Sequence, residues 1–104
     1  MIAFGRESHA EGRRTFAEGN YSHAEGKNTK ALAYVTHSEG IDTVAGLYGT
    51  AGFCSHAEGN GVSAIGSISH AEGYGTTASG QTSHSEGYKT VAEGHHSHAE
   101  GTCT

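Results

Sequence analysis

The sequence contains no proline and no tryptophan, and only three phenylalanines and two cysteines among its 104 residues. Two cysteines, Cys54 and Cys103, are too few for a scaffold held by disulfides. The six lysines and arginines form no cluster and the formal net charge is −5, which argues against nucleic-acid binding through a basic patch. No run of 18 apolar residues occurs, so the sequence predicts no insertion into a membrane.

Large apolar side chains are scarce, whereas glycine is abundant at 17 residues. As a monomer, a chain this short with so few large side chains can bury only a thin core. Regular stacking or oligomerisation must therefore supply stability. The length favours one domain, which would cover residues 1–104.

One internal repeat runs through the whole chain. The segment Ser-His-Ala-Glu-Gly, or a close variant of it, occurs seven times, at residues 8–12, 22–26, 36–40, 55–59, 69–73, 83–87 and 97–101. Successive copies are separated by 14, 14, 19, 14, 14 and 14 residues. Weaker copies lie halfway between them, for example at 15–19 and 90–94, so the basic unit is a heptad of the form small-x-Ala-x-Gly-x-x. Such a fixed period predicts a repeat architecture rather than disorder.

A seven-residue period is also typical of coiled coils, but the residues here exclude one. Coiled coils need large apolar residues at two positions of each heptad, whereas the constant positions of this repeat are small. A glycine in nearly every heptad would also cost a helix about 1 kcal/mol each. Strand alternation fits better, with heptad positions one and three pointing one way and positions two and four the other.

The sequence therefore predicts an all-β fold, a parallel β-solenoid with 14-residue coils. Each coil would contain two five-residue strands and two short turns, with glycine opening each turn. The small residues at positions one and three would fill a thin, flat interior. At a spacing of about 4.8 Å between coils, roughly seven coils make a rod about 35 Å long.

The 19-residue step from Thr36 to Ser55 interrupts the period. It indicates either an extra shortened strand or a bulged loop of about five added residues. We favour an irregular loop around residues 43–54, because a loop keeps every histidine-containing strand on the same face. Loops tolerate insertions and often carry binding functions.

The His-x-Glu pairs of the seven strong copies should form two parallel rows that point away from the interior. These residues, called the His–Glu ladder below, are His9, Glu11, His23, Glu25, His37, Glu39, His56, Glu58, His70, Glu72, His84, Glu86, His98 and Glu100. Because the ladder is uniform while the weaker copies vary, we predict that it lies at a subunit interface, with histidines hydrogen-bonded to glutamates. Two alternatives remain: a divalent metal bound by the histidines, and a solvated polar face.

A second histidine cluster lies near the carboxyl end of the sequence. His95, His96 and His98 could bind a metal together with Cys103, although a solvated turn is the simpler interpretation. We predict no catalytic residues, because serine and histidine are adjacent in each copy and so face opposite sides of a strand.

The repeats resemble the head repeats of YadA-like trimeric autotransporter adhesins, most clearly at residues 62–66 and 69–73. Similar His-Ala-Glu-Gly repeats occur in phage tail fibre and spike proteins. The resemblance implies a left-handed parallel β-roll, three chains around one axis, and an extracellular location on a cell surface or a virion tail. It implies no catalytic residue, and we expect no cofactor apart from the divalent metal considered for the ladder.

The function expected from these observations is that of a structural fibre module, a rigid homotrimeric rod that presents loops for attachment to a surface ligand. One alternative is a self-assembling extracellular filament whose subunits stack end to end, because exposed strand edges recruit further strands. Another is a metal-binding repeat protein that uses the His–Glu ladder.

Overall fold

In the computed structural model, which describes residues 1–47 and 53–104, the chain forms two parallel β-sheets of seven strands each. One sheet consists of the long strands β2 (His9–Arg13), β4 (His23–Lys27), β6 (His37–Ile41), β8 (His56–Asn60), β10 (His70–Tyr74), β12 (His84–Tyr88) and β14 (His98–Thr102). The other consists of the short strands β1 (Ile2–Ala3), β3 (Phe16–Ala17), β5 (Lys30–Ala31), β7 (Val44–Ala45), β9 (Ser63–Ala64), β11 (Thr77–Ala78) and β13 (Val91–Ala92).

Each strand pairs with the equivalent strand of the next coil, so identical repeat positions lie directly above one another. This register confirms the predicted all-β parallel solenoid of about seven coils. The molecule measures 35 × 24 × 14 Å, which agrees with a flat rod. The described residues contain no helix, and accordingly none that could cross a bilayer. The left-handed winding stays a prediction.

The interior is filled by the small residues at heptad positions one and three. Ala17, Ala24, Ala57 and Ala71 are completely buried, and hydroxyl residues line the rest of the interior. At the corner that leads into most long strands, a Ser or Thr hydroxyl donates to a backbone carbonyl three residues earlier, as Ser22 does to Gly19 at 2.6 Å. These bonds give the carbonyl oxygens at the corner a side-chain donor.

The prediction of two equal strands per coil is wrong, since strands of five and two residues alternate. The prediction that glycine opens every turn is also wrong in the long-strand sheet. Gly59, for example, lies inside β8 with φ of 121°. A Cβ atom at this position would collide with the carbonyl oxygen of Gly73 in the next coil, so it is the close stacking of coils that requires glycine here.

The turn that follows each long strand falls two residues after this glycine and usually holds another residue type. Arg14, Asn28, Asp42, Lys89 and Cys103 all adopt the left-handed conformation, with φ between 53° and 58°. The exposed position tolerates varied side chains, which explains why the sequence pattern marks it poorly.

The 19-residue step does not disturb the stacking of the described coils. His37 of β6 pairs directly with His56 of β8, which confirms that later histidines stay on the same face. Part of the predicted irregular loop around 43–54 is regular, because β7 pairs with both β5 and β9. Residues 48–52 of that loop lie outside the described residues.

Candidate interface and ion-binding ladder

The histidines of the His–Glu ladder stack on one another along the outer face of the long-strand sheet. From His23 to His98 successive ring centroids are 4.6–4.8 Å apart, and their planes are within 10° of parallel. The rings of His9 and His23 at one end are tilted by 43°. The spacing of coils in a parallel sheet sets this distance, so the ladder follows directly from the register of the strands.

Each interior glutamate lies between two histidines, that of its own strand and that of the next coil. The carboxylate of Glu39 has one oxygen 3.8 Å from Nε2 of His37 and the other 3.7 Å from Nε2 of His56. Glu25, Glu58, Glu72 and Glu86 have the same arrangement, with distances of 3.6–4.0 Å. The predicted rows therefore form one alternating chain of imidazoles and carboxylates.

These distances are too long for ordinary hydrogen bonds, which join nitrogen and oxygen at 2.7–3.2 Å. The Nε2 atoms of His23, His37, His56, His70 and His84 are shielded from solvent and have no hydrogen-bond partner. The side chains themselves are about one-third exposed, with 35% for His56 and 34% for Glu58. Buried polar atoms are normally paired, so these nitrogen atoms have an unused capacity to bind a ligand.

Burial lowers the pKa of two histidines at the centre of the ladder. For His37, desolvation is the largest cause and repulsion from His56 and His23 lowers the pKa further, whereas attraction to Glu25 and Glu58 raises it. For His56, desolvation and then repulsion from His70 lower the pKa, against the attraction of Glu58 and Glu72. These imidazoles are therefore neutral at pH 7, and the neighbouring carboxylates are not balanced by a full positive charge.

The second candidate metal set is not brought together. His95 and His96 lie on an exposed turn with ring centroids 6.4 Å apart, and Nδ1 of His96 contacts the hydroxyl of Thr82. His98 belongs to the ladder instead, and Cys103 is an exposed free thiol at a different turn. Among the described residues, the groups of His, Cys, Asp and Glu close enough to share an ion all belong to the ladder.

Sequence reasoning missed an apolar edge where the short strands turn back into the long ones. Tyr21, Tyr34, Val35, Phe53 and Ile68 are all 39–50% exposed along this edge, and the rings of Tyr21 and Tyr34 meet edge to face at 5.5 Å. The signal was present, because apolar residues recur at the last two heptad positions of the weaker copies. Exposed apolar patches often mark contacts with other molecules.

The serines of the strong copies are part of the wall of the roll. Ser22, Ser69 and Ser83 are 2–3% exposed and each donates its hydroxyl to a carbonyl oxygen. The adjacent histidines point outward, so serine and histidine do not form a nucleophile–base pair within a copy. Fold and repeat are those of a structural protein rather than a catalytic one.

The comparisons with known proteins agree with this class. The family described as the YadA head domain repeat matches the chain in two copies, at residues 2–22 and 71–97. No curated protein and no solved structure matches it. The chain is thus an all-β parallel solenoid in which two segments match the YadA head repeat, as the sequence pattern predicts, and this match supports an adhesin-like structural module.

Proposed function

We propose that the chain is the rod-forming module of a homotrimeric surface fibre, in which three rolls pack through their His–Glu ladders and present their loops to a surface ligand. The observation that carries the proposal is the uniform row of partly buried histidine and glutamate side chains that repeats in coil after coil. A neighbouring chain would cover the one-third of each side chain that is still exposed.

The thinness of the roll supports the same arrangement. The shortest dimension is 14 Å, and the interior contains mostly alanine, serine and threonine. Burial of apolar area stabilises by about 25 cal/mol per Å², so small side chains contribute little. Packing three rolls around an axis would bury a further face of each. YadA-type heads are trimeric and exposed on cell surfaces, which favours an extracellular location; a virion tail fibre would use the same architecture.

The mass of the particle tests this proposal. We expect light scattering to give about 32 kDa, three times the chain mass of 10.7 kDa, at all concentrations and with or without EDTA. A monomer at all concentrations would contradict the proposal.

Two matched variants identify the face that is buried. His56→Lys and Ser63→Lys place the same long side chain on opposite sheets of one coil, and both positions face outward and are partly buried. We expect His56→Lys to dissociate the trimer and Ser63→Lys to leave it intact. The reverse result would place the short-strand sheet at the interface and refute the assignment of the ladder.

A second candidate, end-to-end assembly into a filament, is favoured by one observation. A Cβ atom on Gly80 would collide with the backbone of Gly94 in the next coil, whereas a Cβ on Gly94 meets nothing nearer than 3.7 Å. Gly94 thus has the residue type that the stacking of coils requires at Gly80, although no coil of the described residues lies above it.

Gly94→Ala tests the filament directly, because its methyl group fits the chain itself but would collide with an added coil. If filaments form, electron microscopy should show rods that lengthen with concentration in the parent chain and stay short in the variant. Rods of equal length in both would exclude stacking through this coil.

A further inference from the structure

The glutamates of the ladder form an uncompensated row of negative charge. Parallel in-register pairing places identical carboxylates on neighbouring strands, where like charges repel. Within the described residues, the ion-pair contacts of these carboxylates are all made to histidines and none to lysine or arginine. A cation between the carboxylates would relieve the repulsion.

The spacing of the ladder atoms suits a bridging ion better than a direct hydrogen bond. Two ligands about 2.1 Å from one tetrahedral ion lie roughly 3.4 Å apart. The observed separations between Nε2 and carboxylate oxygen are 3.6–4.0 Å, so a small inward movement of the side chains would bring both atoms to one ion. In groups such as His37, Glu39 and His56, the ligand atoms all lie within 4.8 Å of one another.

The unpartnered Nε2 atoms are a separate observation that indicates a ligand. Five of them are shielded from water and lack a hydrogen-bond partner, and buried polar groups without partners often mark an ion or a water molecule. Imidazole nitrogen favours Zn²⁺ and Ni²⁺, whereas Mg²⁺ and Ca²⁺ prefer oxygen ligands. The chemistry of the donors therefore selects a divalent transition ion.

One lone pair on each Nε2 limits how many ions the ladder can bind. A ring that turns toward one neighbour to share an ion turns away from the other, because the interior rings lie nearly parallel. His9 and His23 already tilt relative to each other by 43°. We call the space between two successive histidines of the ladder a gap. Ions can thus occupy only alternate gaps, so the seven histidines make three pairs, each binding one ion, and one histidine is left over.

We propose that the His–Glu ladder binds divalent transition ions of the Zn²⁺ class in alternate gaps, with at most three ions per chain. Each ion is bound by the Nε2 atoms of two successive histidines and the carboxylate between them, and its fourth position is open. All three donors come from one chain, so this inference does not depend on the trimer.

Two single substitutions at neighbouring, equally placed histidines test the alternate-gap arrangement. His37→Ala divides the ladder into runs of two and four histidines, which still make three sites. His56→Ala divides it into two runs of three, which make only two. A mechanism in which each histidine binds an ion by itself would lower the number equally in both variants.

The experiment uses the full chain without a polyhistidine tag, stripped with EDTA and dialysed. Zn²⁺ binding is followed by titration calorimetry, and the bound metal is counted by mass spectrometry. We expect three, three and two ions for the parent, His37→Ala and His56→Ala, and no binding of Mg²⁺. The double variant His95→Ala/His96→Ala, which removes two exposed histidines outside the ladder, should still bind three.

Several results would overturn the proposal: no Zn²⁺ binding at micromolar concentration, equal numbers in the two single variants, more than three ions in the parent, or loss of ions in the double variant. Circular dichroism in EDTA checks that each variant folds. If His37→Ala or His56→Ala does not fold, His70→Ala and His84→Ala replace these two variants. We then expect three ions for His70→Ala and two for His84→Ala. Light scattering of the same samples reports the trimer separately.

Discussion

The carbonyl oxygen of Gly73 lies directly against Gly59 of the preceding coil, at a point where a Cβ atom on Gly59 would come closer than 3.0 Å to it. The same contact joins Gly12 to Gly26 and Gly73 to Gly87. It is repeated because every long strand pairs in register with the next. The glycine column is thus a requirement of stacking and not of turn formation.

Gly59→Ala should therefore destabilise the roll strongly. The methyl group must displace the backbone of the next coil, and φ of 121° is unfavourable for alanine. We expect a loss of about 3 kcal/mol or more in the free energy of unfolding, since backbone strain alone costs 1–3 kcal/mol. Urea denaturation followed by circular dichroism measures it.

Gly61→Asn is the matched control for this prediction. Gly61 has φ of 68°, a Cβ atom there would meet nothing nearer than 3.9 Å, and Asn28 occupies the equivalent turn in another coil. We expect a change below about 1 kcal/mol, because asparagine tolerates the left-handed conformation. Equal losses in both variants would show that glycine is needed here only for backbone freedom.

Ala24→Ser should stabilise the chain. In two other coils a serine at this position contacts a threonine hydroxyl five residues later, as Ser38 contacts Thr43 at 2.7 Å. The hydroxyl of Thr29, which corresponds to Thr43, is buried without a partner. A serine at 24 would supply that partner, and we expect a gain of about 0.5–1.5 kcal/mol, measured by thermal melting.

Ala57→Ser controls for the substitution itself. Its partner position is held by Val62, which is fully buried and has no hydroxyl. The new serine gains no side-chain partner there, so stability should stay the same or fall. A similar gain in both variants would indicate an effect of serine that does not involve the threonine.

Stability should fall as the pH drops below about 6.5 in the presence of EDTA. The pKa values of His37 and His56 are lowered in the folded chain from 6.5, so the unfolded chain binds protons first as the pH decreases. Well above pH 6.5 these histidines are neutral in both states and contribute no pH dependence. The melting temperature should therefore be lower at pH 5 than at pH 8.

The double variant His37→Gln/His56→Gln should show a weaker pH dependence, because it removes the two histidines with lowered pKa. A melting temperature that does not change between pH 8 and pH 5 in the parent chain would refute the prediction.

Ile68→Asn should also stabilise the fold. Ile68 is half-exposed and adopts φ of 57°, a conformation that is unfavourable for a β-branched side chain. Asparagine relieves this strain, and we expect a gain of about 1 kcal/mol by urea denaturation. Ser67→Asn, a neighbour without positive φ, should change little. If Ile68→Asn instead lowered the stability and dissociated the particle, the result would identify the apolar edge as an interface.

The sequence predicts the coil and the ladder well because both depend on periodicity. Small residues at heptad positions one and three can only line a narrow interior, as Ala24 and Ala71 do. Residues separated by one coil must then align, which brings His70 over His56. No tertiary information beyond the repeat is needed for these two conclusions.

The features that the sequence does not predict depend on local geometry. Nothing in the heptad pattern shows that Gly59 lies within a strand, or that β8 has five residues and β9 two. Closeness in sequence groups His95, His96, His98 and Cys103, but the coil places His98 on one sheet and Cys103 at a turn. Closeness along a solenoid chain is a poor guide to contact.

The register of the coils has a consequence for variation in length. Since residues 14 positions apart occupy equivalent environments, removing residues 69–82 would join Ile68 to Ser83 and leave every remaining strand facing a strand of the same kind. Such a deletion shortens the rod by about 4.8 Å, the separation of neighbouring strands. Duplication of a 14-residue segment lengthens it by the same amount, so the fold permits changes of reach in whole coils without any new contact having to evolve.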